Sequence, residues 1–163
     1  MILRQRVWDI MREEFPTISK EATLTDAVKT INAAMQDAPD IPFAVMLRRD
    51  GRLLGVVTLG GIVKAVEDQA LREEGLTLSE DGDFDKDFAR ACAISALEPA
   101  EPHLVKDLPI FRPTAPLLVA MEQFRRAKRH AGVVEEGGRV IGLLLLSDIY
   151  RELSRDMLKS FHI

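Results

Sequence analysis

The chain has 163 residues and a net charge of −4, from 22 Lys and Arg against 26 Asp and Glu, which excludes a basic surface suited to non-specific nucleic-acid binding. A composition 47% hydrophobic and 29% charged is that of a folded soluble protein. The single cysteine, Cys92, excludes a disulfide framework and zinc-finger spacing. The longest strongly apolar run, Val140–Leu146, falls far short of the roughly 20 residues of a membrane helix, and the start lacks the apolar segment of a signal peptide. A reducing cytoplasm is the expected compartment.

Residues 7–15 read as a short lead-in helix or turn, with Trp8 anchoring it against the core. Pro16-Thr17-Ile18 is a short strand candidate. A helix follows, capped by Thr25, with Ala27, Val28, Ile31, Ala34 and Met35 on one face at 3.6-residue spacing. Pro39 and Pro42 interrupt it. Phe43–Leu47 is an apolar run of strand length, Asp50-Gly51 a hairpin turn, and Leu53–Leu59 the returning strand. Gly60-Gly61 leads into an amphipathic helix with Ile62, Val63, Val66, Ala70 and Leu71 inward. Leu76–Asp83 is polar and reads as a loop. Asp85–Leu97 reads as a helix with Phe84, Phe88, Ala91, Cys92 and Ser95 on its inner face, ended by Pro99 and Pro102. Pro109–Phe111 is again a short strand. The next helix starts near Pro116, a tolerated first-turn proline, and runs to about Arg129. Ala131–Val134 and Arg139–Leu146 form a hairpin around Gly137-Gly138. Ser147 or Asp148 caps a last helix with Ile149, Tyr150, Leu153, Met157 and Leu158 inward. The hairpin strands are solidly apolar, so both faces of their sheets are expected to be covered.

The chain says nearly the same thing twice. Asp50-Gly51-Arg52-Leu53-Leu54-Gly55-Val56-Val57 aligns without a gap on Gly137-Gly138-Arg139-Val140-Ile141-Gly142-Leu143-Leu144, at an offset of 87 residues (138 − 51). Upstream, Ala27-Val28 matches Ala120-Met121 at an offset of 93, and Val7-Trp8-Asp9-Ile10 matches Val105-Lys106-Asp107-Leu108 at 98. The drift predicts insertions in repeat 1 near Met11–Phe15 and Asp37–Pro42. The chain therefore divides into residues 1–72, a first repeat with its lead-in; 73–104, an intervening loop and helix; and 105–163, a second repeat. Each repeat alone is small enough to be marginal, so the two are expected to share a core, with a cleft between them as the natural ligand place.

Other chemistry-bearing stretches have bland explanations. Arg125-Arg126-Lys128-Arg129-His130 places cations at a helix C-terminus, where the macrodipole favours them. Asp81-Gly82-Asp83-Phe84-Asp85-Lys86-Asp87 has the acidic spacing of a calcium loop, but Lys86 and Cys92 stand where glycine and glutamate belong. Cys92 is expected to be a buried, inert thiol. His103 and His162 form no metal pair. No phosphate loop, zinc-protease helix or nucleophile elbow is present, so no enzyme activity is expected.

The lead-in Val7-Trp8-Asp9-Ile10-Met11, the segment Gly51-Arg52-Leu53-Leu54-Gly55-Val56-Val57-Thr58, and in the second half Gly138-Arg139-Val140-Ile141-Gly142 with Ser147-Asp148-Ile149, resemble the CBS domain. Two such segments resemble a tandem CBS pair, or Bateman module. The resemblance implies an α/β (α+β) fold of two pseudo-symmetric β-α-β-β-α repeats packed through their sheets. It also implies a regulatory module that binds AMP, ADP, ATP or S-adenosylmethionine between the repeats, forms a homodimer and reports to another, unknown protein. Thr17, Ile18, Thr58, Ser147 and Asp148 would line the clefts, with Arg129 and His130 near the phosphates. The family signature, Gly-x-x-Thr/Ser-x-x-Asp at the strand-to-helix junction, is incomplete in both copies. Repeat 1 has Gly55 and Thr58 but Gly61 in place of the acid; repeat 2 has Gly142 and Asp148 but Leu145 in place of the hydroxyl. A degenerate pair that dimerises and docks a partner without a small molecule is the alternative. The apolar positions Ile62, Val66, Ile149 and Leu153 are the expected subunit contact.

Overall fold

The computed structural model describes residues 2–72 and 84–160. The predicted loop Leu76–Asp83, the first acids of the calcium-like run and His162 lie outside the described residues. In chain order the elements are α1 (Val7–Ile10), β1 (Thr17–Ser19), α2 (Leu24–Asp37), β2 (Phe43–Leu47), β3 (Leu53–Thr58), α3 (Leu59–Arg72), α4 (Phe84–Ala96), β4 (Ile110–Phe111), α5 (Leu117–Ala127), β5 (Ala131–Glu136), β6 (Arg139–Leu145) and α6 (Leu146–Ser160). The strands make two three-stranded sheets, ordered β1-β2-β3 and β4-β5-β6. This is the mixed α/β fold expected, with the β-α-β-β-α order twice over.

The chain divides into two compact units, and the lead-ins trade places between them. One unit contains Pro16–Arg49 and Leu54–Lys106; the other contains Met1–Phe15, Asp50–Leu53 and Asp107–Ile163. The lead-in that precedes repeat 1 in sequence thus packs with repeat 2, and the segment preceding repeat 2 packs with repeat 1. Backbone pairing shows how. Arg12 and Leu143 exchange N–H···O bonds of 2.8 and 2.9 Å, and Val105 and Val56 exchange bonds of 2.9 and 3.0 Å. The two crossings are equivalent: Arg12 corresponds to Val105, Met11 to Leu104 and Pro16 to Pro109, all at an offset of 93. The sequence alignment of Val7-Trp8-Asp9-Ile10 with Val105-Lys106-Asp107-Leu108 is therefore displaced, and no insertion stands near Met11–Phe15. Short apolar-x-Asp-apolar strings match too easily to hold a register.

A glycine makes room at each crossing. A Cβ on Gly142 would lie 2.8 Å from the Arg12 carbonyl oxygen and 3.1 Å from Met11 Sδ; one on Gly55 would lie 2.8 Å from the Val105 carbonyl oxygen and 3.0 Å from Leu104 Cβ. The paired glycines of the repeat are thus places where a second backbone passes against the sheet.

In the first-repeat unit β1 runs parallel to β2, with Thr17 opposite Val45 and Ser19 opposite Leu47. Ile18, Leu24, Ala27, Ile31, Met46, Val57 and Ala65 build the core. The cap of α2 is Thr23 rather than Thr25: its hydroxyl accepts from the Asp26 N–H, and the Asp26 carboxylate accepts from the Thr23 N–H. Thr25 instead donates to the Ala96 carbonyl at 2.7 Å, tying α2 to the end of α4.

In the second-repeat unit β4 is parallel and β6 antiparallel to β5, with a bulge between Val134 and Glu135. Val7, Phe111, Leu117, Phe124, Val134, Leu144 and Ile149 form the core, with the Phe111 and Phe124 rings tilted and 4.9 Å apart. Pro116 is the residue before α5 rather than its first turn, and α5 ends at Ala127 with Lys128 in the left-handed conformation, φ 54°.

Several inward assignments were wrong. Trp8 is exposed and Val7 anchors the lead-in. Val63, Leu71, Phe88, Tyr150, Met157 and Leu158 are exposed. Cys92 is exposed as well, while Ala91 and Ser95 are buried among the described side chains of α4. Small residues, not large ones, face the core where α3 and α4 pack, which a hydrophobic pattern read by size misplaces.

Candidate functional site

Polar groups gather at the strand-to-helix junction of each unit. In the second-repeat unit the chain passes straight from β6 into α6, so Asp148 falls in the first helical turn. Its carboxylate meets two guanidiniums. Arg12 donates from Nε to Oδ2 at 2.9 Å and from Nη2 to Oδ1 at 3.0 Å, the two-pronged geometry of a strong Arg–carboxylate pair. Arg151, one turn along α6, donates to Oδ1 at 2.8 Å. The Asp148 side chain is only 12% exposed and that of Arg12 24%, so solvent screens this pair less than the surface pairs. Ser147 beside it is exposed.

The corresponding junction of the first-repeat unit is nearly uncharged. Thr58, the last residue of β3, accepts from the Gly61 N–H at 2.9 Å through its hydroxyl and so caps α3, which begins at Leu59 ahead of the predicted Gly60-Gly61. Gly61 occupies the place of Asp148, and Val105 occupies the place of Arg12. The duplication has kept Arg with Asp in one unit and Val with Gly in the other. His103, just ahead of Val105, meets Glu98 at 2.8 Å between Nε2 and Oε2.

The remaining predicted site residues fall into two groups. Thr17 and Ile18 line a cleft of about 590 Å³ at the carboxyl ends of β1 and β2, together with Ser19, Lys20, Glu21, Leu47, Arg48 and Arg49. Arg129 donates through Nη2 to both oxygens of Asp107, at 2.6 and 2.7 Å, and this hydrogen bonding holds the Asp107 carboxyl below the usual range. His130 is exposed, and its carbonyl accepts from the Leu146 N–H at 2.9 Å. The structure therefore joins Ser147 with Asp148, and Thr17 with Ile18, while Arg129 is drawn to its own acid. Arg12, Arg151, Lys20, Arg48 and Arg49 were missed. The cleft cations carry a legible signal, since a cation directly after each of two parallel strands must end up side by side. Arg12 carries none, because 136 residues separate it from Asp148.

Among the described residues no cluster of three or more His, Cys, Asp and Glu is arranged to hold a metal, and no helix is long and apolar enough to cross a membrane.

Comparison with curated proteins gives no match. Solved structures match throughout the chain. A CBS domain of a CBS domain-containing membrane protein from Sphaerobacter thermophilus is 17% identical, with a TM-score of 0.68 over 92% of this chain and 88% of that one. A CBS domain-containing protein of unknown function from Kribbella flavida is 15% identical, with a TM-score of 0.63 over 92% and 98%. The cytosolic domain of the Mg2+ channel MgtE, in complex with ATP, is 15% identical, with a TM-score of 0.63 over 87% of this chain and 46% of that one. At these identities the likeness is one of fold. The CBS domain matches the sequence itself at residues 7–68 and 103–155, more than half of the chain. The chain belongs to the CBS-domain family and carries the domain in tandem.

Proposed function

We propose that the chain is a regulatory module that binds an adenine nucleotide or related adenosyl ligand, AMP, ADP, ATP or S-adenosylmethionine, and passes the event to another protein. The observation that carries this reading is the Asp148–Arg12–Arg151 cluster beside Ser147. A carboxylate accepts from a ribose diol, and guanidiniums take phosphate oxygens in forked pairs. Both are present at the start of a helix, with Asp148 and Arg12 shielded and Arg151 open to solvent, and the macrodipole there adds to the attraction for an anion. The ATP complex of the MgtE cytosolic domain supports the ligand class. Thr17, Ile18 and Thr58 contribute on repeat 1 in this reading, while Arg129 has first to leave Asp107 and His130 stays peripheral. The module works without catalysis, as a homodimer in the cytoplasm. The exposed apolar residues Val63 and Leu71 on α3, and Tyr150, Met157 and Leu158 on α6, support association. Ile149, expected at the subunit contact, is 1% exposed and belongs to the core instead.

A second reading, a scaffold that binds no small molecule, has its own observation. Three guanidinium N–H groups already occupy most of the roughly four acceptor positions of Asp148, and Gly61 offers no acid at all. A thermal-shift series with AMP, ADP, ATP and S-adenosylmethionine separates the two. A ligand that binds only the folded chain adds about 2.7 kcal/mol at a hundredfold excess over Kd. Asp148→Ala is expected to remove most of the response and Cys92→Ala none of it. No shift with any of the four at millimolar concentration leaves the scaffold.

A further inference from the structure

We infer that the cleft at the carboxyl ends of β1 and β2 is a binding site for a small phosphate ester, separate from Asp148; it shares Thr17 and Ile18 with the nucleotide reading but rests on cations which that reading does not use. Because β1 and β2 are parallel and Ser19 pairs with Leu47, the residues that follow them emerge side by side. Lys20 leaves one strand and Arg48-Arg49 the other, and all three line one cleft of about 590 Å³, within the size range of small-molecule sites. Carboxyl ends of parallel strands are where open α/β sheets take up ligands.

The charges are unspent. None of Lys20, Arg48 and Arg49 has an ion-pair partner among the described residues, whereas Arg126, Arg129, Arg151 and Arg155 each hold an acid. Glu21 is the single carboxylate of the cleft, so three cations and one anion leave a formal charge of +2, in a chain whose net charge is −4. Thr17 and Ser19 are exposed and alternate with buried Ile18, so both hydroxyls lie on the open face of β1. Hydroxyl donors flanked by forked guanidiniums match the acceptor oxygens of a phosphate dianion.

The feature belongs to this repeat and not to the fold. At the offset of 87, repeat 2 has Glu135 and Glu136 where repeat 1 has Arg48 and Arg49. The same strand ends are therefore basic in one unit and acidic in the other.

Calorimetric titration of the full chain with inorganic pyrophosphate tests the site. Saturable binding is expected, weakened by about tenfold or more in Arg48→Gln/Arg49→Gln, since a charged hydrogen bond is worth at least that much. Affinity should fall as salt is raised. Asp148→Ala should bind pyrophosphate as the parent does even where it loses AMP, which separates this site from the nucleotide proposal. Absence of saturable binding at millimolar pyrophosphate, or binding unchanged in the double variant, overturns the inference. Binding to phosphatidylcholine vesicles carrying phosphatidic acid, without binding to pyrophosphate, overturns it in favour of a lipid headgroup.

Discussion

Gly142→Ala probes the exchange of lead-ins directly. The added methyl would lie 2.8 Å from the Arg12 carbonyl oxygen and 3.1 Å from Met11 Sδ. The sulfur can swing away, but the carbonyl is backbone and is fixed by its bond from the Leu143 N–H at 2.9 Å. Relief requires the lead-in to lift from β6. That breaks two backbone hydrogen bonds, worth about 1 kcal/mol each, and loosens the Arg12–Asp148 pair. The opposing gain, a less flexible unfolded chain, is about 0.4–1 kcal/mol. With the overpacking strain of roughly 1–3 kcal/mol, partly relieved as the segment moves, the net loss is about 2–4 kcal/mol. For a chain of this size that lowers Tm by roughly 5–15 °C. Urea titration measures the stability, and hydrogen exchange at the Leu143 amide reports whether the lead-in has lifted. A variant within about 0.5 kcal/mol of the parent, with Leu143 still protected, would refute the argument that glycine is there to admit the crossing backbone. Gly137→Ala is the control: nothing lies within 4 Å of its added Cβ, and only the positive φ of 59° opposes the change, at about 1 kcal/mol.

Gly132→Ala should be worse tolerated than Gly137→Ala, because its Cβ would meet Phe111 Cε2 at 2.5 Å and the Pro109 carbonyl oxygen at 2.6 Å, both inside the second-repeat unit; urea midpoints rank the two. Thr23→Ala removes the hydroxyl that caps α2 and should cost about 1 kcal/mol by denaturant unfolding. Asp148→Ala leaves Arg12 without its carboxylate and should destabilise the chain by about 1–2 kcal/mol, below the value for a fully buried pair because both side chains retain some solvent contact. Asp26 is held below the usual carboxyl range chiefly by the Thr23 backbone N–H, and Asp107 chiefly by Arg129. A lowered folded-state value adds stability above the ordinary carboxyl pKa of about 4, and that stability is lost as pH falls through the folded value. Urea midpoints should therefore decline on acidification below about pH 4, less steeply in Asp107→Asn; an identical slope in that variant would contradict the role given to Arg129.

How far the sequence reaches is clear from particular residues. Phe43–Leu47 coincides with β2 because an uninterrupted apolar run between prolines and a charged turn admits one register. The gapless Gly55/Gly142 correspondence set the two-repeat fold, since a hairpin and the helix after it are local structures whose pattern is contiguous. Thr58 stands at its strand-to-helix junction as a cap for the same reason, whereas Ser147 and Asp148, expected as caps, fall inside the first turn of α6, which already begins at Leu146. What local pattern leaves open is the partner. Thr23 and Thr25 are both acceptable caps, and only packing against Ala96 decides which one turns inward. Asp148 reads as a free acceptor until the fold brings Arg12 across to it. Arg48 and Arg49 read as a solvated turn until parallel pairing sets Lys20 beside them. Periodicity and duplication, being properties of neighbouring residues, were written in the chain. The exchange of lead-ins and the meeting of distant charges rest on which sheet edge each segment finds, and that is settled by contacts far along the chain, from Val56 with Val105 to Arg12 with Asp148.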